Sequence, residues 1–200
     1  MRIIGAVALA HLINDLIQAV LPSIYPMLKA KYDLTFTQIG LITLTFQMTA
    51  SLLQPWVGYY TDRHPNPLLL PAGMVCTLIG ILMLSQVGSF PLILLAAALV
   101  GIGSSTFHPE ASRVARLASG GRYGLAQSTF QVGGNAGSAF GPLLAAAIII
   151  PFGQGNVAWF GLFALFAVGL LYVISRWYRN HLNLFKLKAG QQATHGLSKQ

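Results

Sequence analysis

The chain has 200 residues, of which 54% are hydrophobic and only 8% are charged. Soluble domains carry about 25% charged residues, so this composition indicates a membrane protein and excludes an ordinary soluble domain. The net charge of +8 comes from 12 Lys+Arg against 4 Asp+Glu, but the arginines punctuate apolar segments and form no solvated basic stripe. We therefore expect membrane lipid, and no nucleic acid, as the surroundings of the chain.

Six apolar segments follow one another along the chain. A helix needs about 20 apolar residues to cross a bilayer, and each segment is long enough. The short connections between them force neighbouring helices to run antiparallel. The sequence therefore predicts an all-α membrane protein, a bundle of six transmembrane helices in one domain, 1–180, followed by a cytoplasmic tail or the start of a central linker, 181–200. The predicted spans 1 to 6 are approximately 3–28, 38–60, 68–88, 91–115, 124–150 and 157–178.

The basic residues orient the bundle. If both termini and the even-numbered connections face the cytoplasm, ten of the 12 Lys and Arg residues lie inside, and only Lys29 and Lys31 lie outside. Such an excess on one side is the positive-inside pattern. The ten are Arg2, Arg63, Arg113, Arg116, Arg122, Arg176, Arg179, Lys186, Lys188 and Lys199.

Span 1 carries a polar stripe in the segment "HLINDLIQ". His11, Asn14, Asp15 and Gln18 follow one another at intervals of three or four residues, which places them on one face of a helix. Asp15 lies about 20 Å along the helix from Arg2, near the middle of the bilayer, where an ionised carboxylate is costly. Two interpretations stay open: a polar clamp between helices, or a site for protonation or substrate.

Span 4 contains the second group of rare residues, in "STFHPEASRVAR". It includes the single glutamate of the chain, Glu110, with His108 two residues before it and Arg113 three residues after it. We expect Asp15 and Glu110 to be the groups that exchange protons. His108 and Glu110 are expected to face a transport pathway, and Arg113 to lie at its cytoplasmic end.

Amide side chains form further stripes on spans 2 and 5. Gln47 lies on span 2, and Gln131 and Asn135 lie on span 5. Neutral amides suit hydrogen bonding either to a polar solute or between helices, and the sequence does not separate these two uses. We place all three with the proton or substrate pathway.

The two halves of the chain are related. "GLITLTFQ" on span 2 and "GLAQSTFQ" on span 5 match at five of eight positions, 84 residues apart, although a match this short can arise by chance. Spans 3 and 6 are almost free of strongly polar groups, which suits helices that face lipid. Because spans 2 and 5 cross the membrane in opposite directions, the pattern predicts an inverted repeat of three helices plus three, typical of transporters.

Together these residues resemble the major facilitator superfamily, specifically its amino-terminal six-helix half. The loop between spans 2 and 3 of that family has the pattern Gly-x-x-x-Asp-Arg, which Gly58, Asp62 and Arg63 match. The glycine and basic pair that follow in the family are replaced here by Pro65, Asn66 and Pro67. The resemblance implies a cytoplasmic gate in which Asp62 pairs with Arg113 of span 4.

A second motif of the family lies on span 5. Its antiporter pattern, Gly-x-x-x-Gly-Pro, maps to Gly137, Gly141 and Pro142 within "GGNAGSAFGP". A glycine ridge also permits close packing of another helix, so the motif has a structural interpretation as well.

Within the superfamily, "HLINDLIQ" and "GGNAGSAFGPLLAA" are similar to segments of bacterial drug exporters. The resemblance implies proton-driven efflux of a small phosphonate antibiotic such as fosmidomycin across the bacterial inner membrane, by alternating access and without a cofactor. Members of the family have twelve helices, so we expect the partner to be a second six-helix half or another copy of the chain. The alternative is a truncated, non-transporting membrane protein or an interaction subunit. An intramembrane metal enzyme is disfavoured, because no spacing of the HExxH type occurs.

Overall fold

The computed structural model of the chain describes the backbone of residues 1–197 and the side chains of residues 1–184. Within the described backbone every regular element is a helix, and six helical stretches are long and apolar enough to cross a membrane. The predicted all-α bundle of six spans is confirmed. The spans, numbered 1 to 6, cover Arg2–Tyr32, Phe36–Arg63, Leu69–Gln86, Phe90–Leu117, Tyr123–Phe152 and Gln154–Leu184.

Span 1 is interrupted next to two prolines. Its first helix, Arg2–Ser23, ends just after Pro22, and a second helix, Tyr25–Tyr32, begins directly before Pro26. Proline lacks the amide hydrogen that a continuing helix needs, which explains the break. The second helix runs four residues beyond the predicted end of the span, at 28, so the connection to span 2 is shorter than expected.

Spans 2 and 5 each contain a turn of π-helix. Span 2 begins at Thr35, whose side chain accepts from the backbone of Gln38 in a capping box. A π-helical turn in a membrane helix changes the direction of the side chains that follow it. The helices of span 2 are Phe36–Gln47, Met48–Leu52 (π) and Leu53–Arg63, and those of span 5 are Tyr123–Leu144, Ala145–Ile149 (π) and Ile150–Phe152.

Span 6 starts with a 3-10 turn, Gln154–Ala158, and continues as the helix Trp159–Leu197. The helix therefore extends past 178, the predicted end of the span, into the segment predicted as a tail. Residues 198–200 of that predicted tail lie outside the described residues, as do the side chains from 185 onward.

The two halves of the bundle pack in the same way. Span 1 packs along span 5, and span 4 packs along span 2; likewise span 6 contacts span 1, and span 3 contacts span 4. When spans 1, 2 and 3 are exchanged for spans 4, 5 and 6, the contact of spans 1 and 5 becomes that of spans 4 and 2. The contact of spans 6 and 1 likewise becomes that of spans 3 and 4. This equivalence supports the inverted repeat that the matching segments on spans 2 and 5 predict.

Glycines bring span 5 against the backbone of span 1. A Cβ atom added at Gly137 would overlap the carbonyl group of Leu12. A Cβ atom added at the glycine one turn before or one turn after it would overlap a different carbonyl group of span 1. The close-packing interpretation of the glycine ridge is therefore what the structure shows. The pairs, in order along span 5, are Gly133 with Ala8, Gly137 with Leu12 and Gly141 with Leu16.

Gly137→Ala should destabilise the bundle, because the added methyl group meets a backbone carbonyl that cannot move without shifting the whole helix. We expect a loss of about 1–3 kcal/mol, which corresponds to a melting temperature lower by roughly 2–12 °C in a chain of this size. Gly124→Ala on the same span is the matched control, since an added Cβ there meets nothing within 4 Å. Thermal unfolding of both variants in mild detergent gives the comparison, and equal melting of the two would contradict the close packing of spans 1 and 5.

The bundle leaves spans 2 and 5 most open. In the most apolar stretch of each span, buried residues make up 11% in span 2 and 22% in span 5, against 39–50% in the other four. Polar side chains on these two spans, such as Gln47 and Asn135, are exposed. Apolar side chains dominate the exposed surface of spans 3 and 6, for example Ile79 and Phe166. Spans 3 and 6 thus present apolar surfaces suited to contact with lipid, whereas spans 2 and 5 present a partly polar face.

Candidate functional site

Spans 1 and 4 join two histidines to one carboxylate in the middle of the bundle. The Nε2 atom of His11 lies 3.3 Å from Oδ2 of Asp15, and Nε2 of His108 lies 3.2 Å from its Oδ1. His11 is almost fully buried, whereas the side chains of Asp15 and His108 are 18% and 25% exposed. We call these three residues the histidine–aspartate cluster. The sequence predicts all three on the pathway, and the structure brings them into direct contact.

Both imidazole rings are held by backbone carbonyl groups, one on another span and one in the preceding turn of the same helix. Nδ1 of His11 lies 2.8 Å from the carbonyl oxygen of Phe130 on span 5, and its ring stacks on the Phe130 ring at 3.9 Å. Nδ1 of His108 lies 3.0 Å from the carbonyl oxygen of Ser104. Each ring thus has an acceptor at both nitrogens, and a ring with one proton leaves one of these acceptors without a donor. The carboxylate of Asp15 and the two backbone carbonyl groups thus surround the two rings with oxygen atoms.

Amide side chains hold the carboxylate of Asp15. Asn14 donates to its Oδ1 at 3.0 Å and Gln18 donates to the same oxygen at 3.3 Å. Gln18 also accepts a hydrogen bond from the Ser104 hydroxyl at 3.0 Å, which ties span 1 to span 4. The polar stripe of span 1 therefore acts as one hydrogen-bonded unit, with Asp15 at its centre.

The cluster opens into a polar cleft between spans 1, 2, 4 and 5. The cleft has a volume of about 240 Å³. These are the four spans that the sequence identifies as polar. Residues lining it include Asp15, Gln18, Phe46, Gln47, His108 and Ser138.

Gly134 of span 5 forms one wall of the cluster. A Cβ atom at this position would meet the ring of His11 and would lie 2.8 Å from Oδ2 of Asp15. The cluster can therefore form only against a residue without a side chain. The sequence interpretation emphasises Gly137 and Gly141 of the same span and misses the role of Gly134.

The remaining amides lie apart from the cluster. Gln131 and Asn135 are exposed on span 5, and their side chains form no hydrogen bond with any residue that the structure describes. Gln47, by contrast, lines the cleft. The structure thus brings one of these three amides to the cleft and leaves the other two on the open face.

A second polar network lies at the arginine-rich end of the bundle, where Arg63, Arg113 and Arg116 are found. Arg113 pairs with Asp62 of span 2, donates to the carbonyl oxygen of Thr61 at 2.8 Å, and donates to Glu110 at 2.8 Å. The pairing of Arg113 with Asp62 that the resemblance implies is present, and Arg113 pairs with Glu110 as well.

Glu110 belongs to this network and does not reach the cleft. Glu110 lies two positions after His108, so the two side chains point about 200° apart around the helix. Glu110 is fully buried, and its Oε2 atom has no hydrogen-bond partner among the described residues. The expected grouping of Glu110 with His108 on one pathway is therefore not what the structure shows, because helical geometry puts them on different faces.

The other gate residues have simpler surroundings. Gly58 faces span 4, where an added Cβ would lie 3.8 Å from Cβ of Pro109. Arg63 is exposed and stacks on the Tyr59 ring at 3.7 Å. Arg63 therefore contributes a surface charge, and Gly58 contributes the contact between spans 2 and 4.

One polar residue escapes the sequence interpretation. Gln154, the first residue of span 6 and three residues before the predicted start of that span at 157, is buried and donates to the carbonyl oxygen of Leu84 at 2.8 Å. Its Oε1 atom accepts from Lys31 at 2.8 Å and from Tyr32 at 2.7 Å. This side chain joins spans 1, 3 and 6 at the end opposite to Arg113. A single glutamine in a short connection has no pattern that distinguishes it in the sequence.

Comparison with known proteins agrees with this geometry. Residues 7–195 match the Major Facilitator Superfamily. Over 189 residues the chain is 62% identical to the fosmidomycin resistance protein of Escherichia coli (strain K12), covering 94% of this chain and 47% of that protein. Over 186 residues it is 46% identical to an uncharacterised MFS-type transporter, YfnC, of Bacillus subtilis (strain 168), covering 93% of this chain and 46% of that protein.

The chain thus spans about half the length of the curated relatives that it matches. The matched residues, 7–195, cover most of span 1 and all of spans 2 to 6, and the paired Asp62 and Arg113 and the glycine ridge of span 5 lie within that range. These features identify the chain as a member of the major facilitator superfamily of membrane transporters.

Proposed function

We propose that the chain forms one wall of a pathway that exports a small antibiotic in exchange for protons. The observation that carries the proposal is the histidine–aspartate cluster, a carboxylate between two imidazoles in the middle of the membrane, open to a polar cleft. Ionisable groups inside a membrane bundle are costly and mark ion or substrate pathways.

The substrate class comes from a relative. The Escherichia coli protein that is 62% identical over 94% of the chain is named for resistance to fosmidomycin. A small phosphonate of this kind is therefore the proposed cargo. The amides at the cleft, Gln18 and Gln47, supply hydrogen bonds to a polar solute.

The coupling ion in this proposal is the proton, and the cycle needs no bound cofactor. Asp15 is the acceptor, because it contacts two imidazoles that can pass it a proton and is partly open to the cleft. Glu110 is not part of the proposed exchange, since it is buried against Arg113. The network of Asp62, Arg113 and Glu110 holds spans 2 and 4 together at the proposed cytoplasmic gate.

A second wall is required in this proposal. The polar side chains on spans 2 and 5 face outward, and an amide exposed to lipid is unfavourable. A second six-helix half, or a second copy of this chain, would cover that face and complete the cleft. Rocking of the two walls about the cluster then gives alternating access.

The proposed location is the bacterial inner membrane, with both termini in the cytoplasm. Ten of the 12 basic residues lie on one side in that orientation, as the positive-inside rule requires. The arginine-rich end of the bundle is then the cytoplasmic end.

Everted membrane vesicles test the proposal. The chain is produced alone and together with the remaining half of the Escherichia coli relative as a separate polypeptide, and the uptake of labelled fosmidomycin is measured with the vesicle interior made acidic. We expect accumulation that a protonophore abolishes. An antibody to a carboxyl-terminal epitope should bind these vesicles without detergent, because they expose the cytoplasmic face.

Comparing the chain produced alone with the chain produced together with the second half shows which partner is needed. Uptake by the chain alone indicates a homodimer, and uptake only with the second half indicates a two-part transporter. Uptake in neither arm, with the chain present and inserted, would overturn the proposal. It would favour the alternative function, a non-transporting interaction subunit, which the open face of spans 2 and 5 also fits.

A further inference from the structure

The histidine–aspartate cluster also has the composition of a metal site. Two imidazoles and one carboxylate offer three ligand atoms that lie within 4.8 Å of one another. We infer that His11, Asp15 and His108 bind a divalent transition metal ion, with Zn²⁺ as the favoured ion, and that the bound ion inhibits transport. The inhibition rests on the proposed function, whereas the binding does not.

The spacing of the ligand atoms fits zinc. Bonds of about 2.0–2.1 Å in a tetrahedral site place neighbouring ligand atoms about 3.3 Å apart. Nε2 of His11 lies 3.3 Å from Oδ2 of Asp15, and Nε2 of His108 lies 3.2 Å from Oδ1 of the same carboxylate, so each imidazole nitrogen lies close to that distance from one carboxylate oxygen. The two imidazole nitrogens need to approach by at most about 1.5 Å, the difference between 4.8 and 3.3 Å. Rotation of the partly exposed His108 ring provides such a movement.

The surroundings already orient the ligands. Metal-binding histidines commonly donate their second ring nitrogen to a backbone carbonyl, which points the other nitrogen at the ion. Nδ1 of His11 faces the carbonyl oxygen of Phe130, and Nδ1 of His108 faces that of Ser104, so both Nε2 atoms point at Asp15. Asn14 and Gln18 hold the carboxylate in turn. The ligands and the groups that orient them are therefore both present.

The ligand types select the class of ion. Imidazole favours Zn²⁺, Cu²⁺ and Ni²⁺, whereas Mg²⁺ and Ca²⁺ prefer sites made of oxygen ligands alone. The side of the cluster that faces Gln47 and Ser138 is open, so water completes the coordination shell there. A metal ion in this position links span 1 to span 4 and occupies the cleft. Both effects oppose the relative movement of helices that alternating access requires.

Titration of the purified full chain with Co²⁺, produced without a histidine tag, tests the binding. Visible absorption should show the bands of tetrahedral Co²⁺ and saturate at one ion per chain, and Zn²⁺ but not Mg²⁺ should remove them. His108→Gln and His11→Gln should each weaken binding by at least about tenfold. His64→Gln is the matched control: His64 is exposed at the end of span 2, and its loss should leave the affinity unchanged.

The unmodified chain alone can overturn the inference. Absence of saturable tetrahedral bands, or equal displacement by Mg²⁺, would do so whether or not the variants fold. Unchanged affinity in a folded His108→Gln chain would exclude His108 as a ligand. If Zn²⁺ binds but antibiotic uptake is unchanged, the inferred inhibition is wrong and the inferred metal site stands. A negative titration leaves gradient-driven uptake unaffected, so failure of this inference is distinct from failure of the proposed function.

Discussion

Asp15→Asn should reduce gradient-driven uptake of antibiotic in everted vesicles to the level of vesicles without the chain. Asparagine keeps the size and the hydrogen bonds from Asn14 and Gln18 but cannot bind and release a proton. It also removes the charge that balances two imidazoles, His11 and His108. If Asp15 carries the coupling proton, the gradient can no longer drive the cycle.

Asp33→Asn makes the same chemical change at a position outside the histidine–aspartate cluster and serves as the control. Asp33 is exposed in the turn after span 1, with φ of 49°, a left-handed conformation that asparagine also tolerates. Uptake should be unchanged in this variant. Asp15→Asn vesicles that still accumulate antibiotic in response to the gradient would remove Asp15 from coupling. Accumulation by exchange of substrate alone, without a gradient, is expected to survive in the Asp15→Asn variant.

The six spans can be predicted from the sequence because crossing a membrane imposes a length and a polarity that few other structures share. The ends of the spans are less predictable. Pro22 and Pro26 flank the break in span 1, but the helix resumes to Tyr32, beyond the predicted end at 28, because nothing before Asp33 opposes it. Boundaries depend on local capping, as at Thr35 and Gln38, which composition does not reveal.

The histidine–aspartate cluster is partly predictable. Helical periodicity places His11 and Asp15 on one face of span 1, and the structure confirms that they meet. Periodicity places His108 and Glu110 on different faces of span 4. It contains no signal for the rotation of span 4 relative to span 1, so it does not show which of the two meets Asp15. The structure selects His108, because close packing of span 4 on its neighbours fixes which face meets Asp15.

Interactions of side chains with backbone atoms cannot be predicted from the sequence. The carbonyl oxygen of Phe130 orients His11, and that of Leu84 holds Gln154, but any residue type supplies such an oxygen. Gly134 is similar, since its role is the absence of a side chain next to the cluster. These contacts depend on the approach of helices that are distant in the sequence, so only the folded bundle reveals them.

Arg113→Met should destabilise the bundle more strongly than Gly137→Ala does. Methionine keeps much of the length of the side chain but leaves Glu110, which is fully buried, without its partner. Removing one partner of a buried ion pair lowers the free energy of unfolding by about 3–5 kcal/mol. Thermal unfolding in mild detergent should therefore show a large loss of stability.

Two further variants separate the buried pair of this network from the exposed one. Asp62 is 73% exposed, so Asp62→Asn should cost no more than about 1 kcal/mol, although it removes the ion pair that the family resemblance emphasises. The double variant Glu110→Gln with Arg113→Met removes both buried charges and should recover much of the stability that Arg113→Met loses. If the double variant is no more stable than Arg113→Met, the loss comes from the contacts of Arg113 with Thr61 and Asp62. In that case the burial of Glu110 has no part in the stability of the gate.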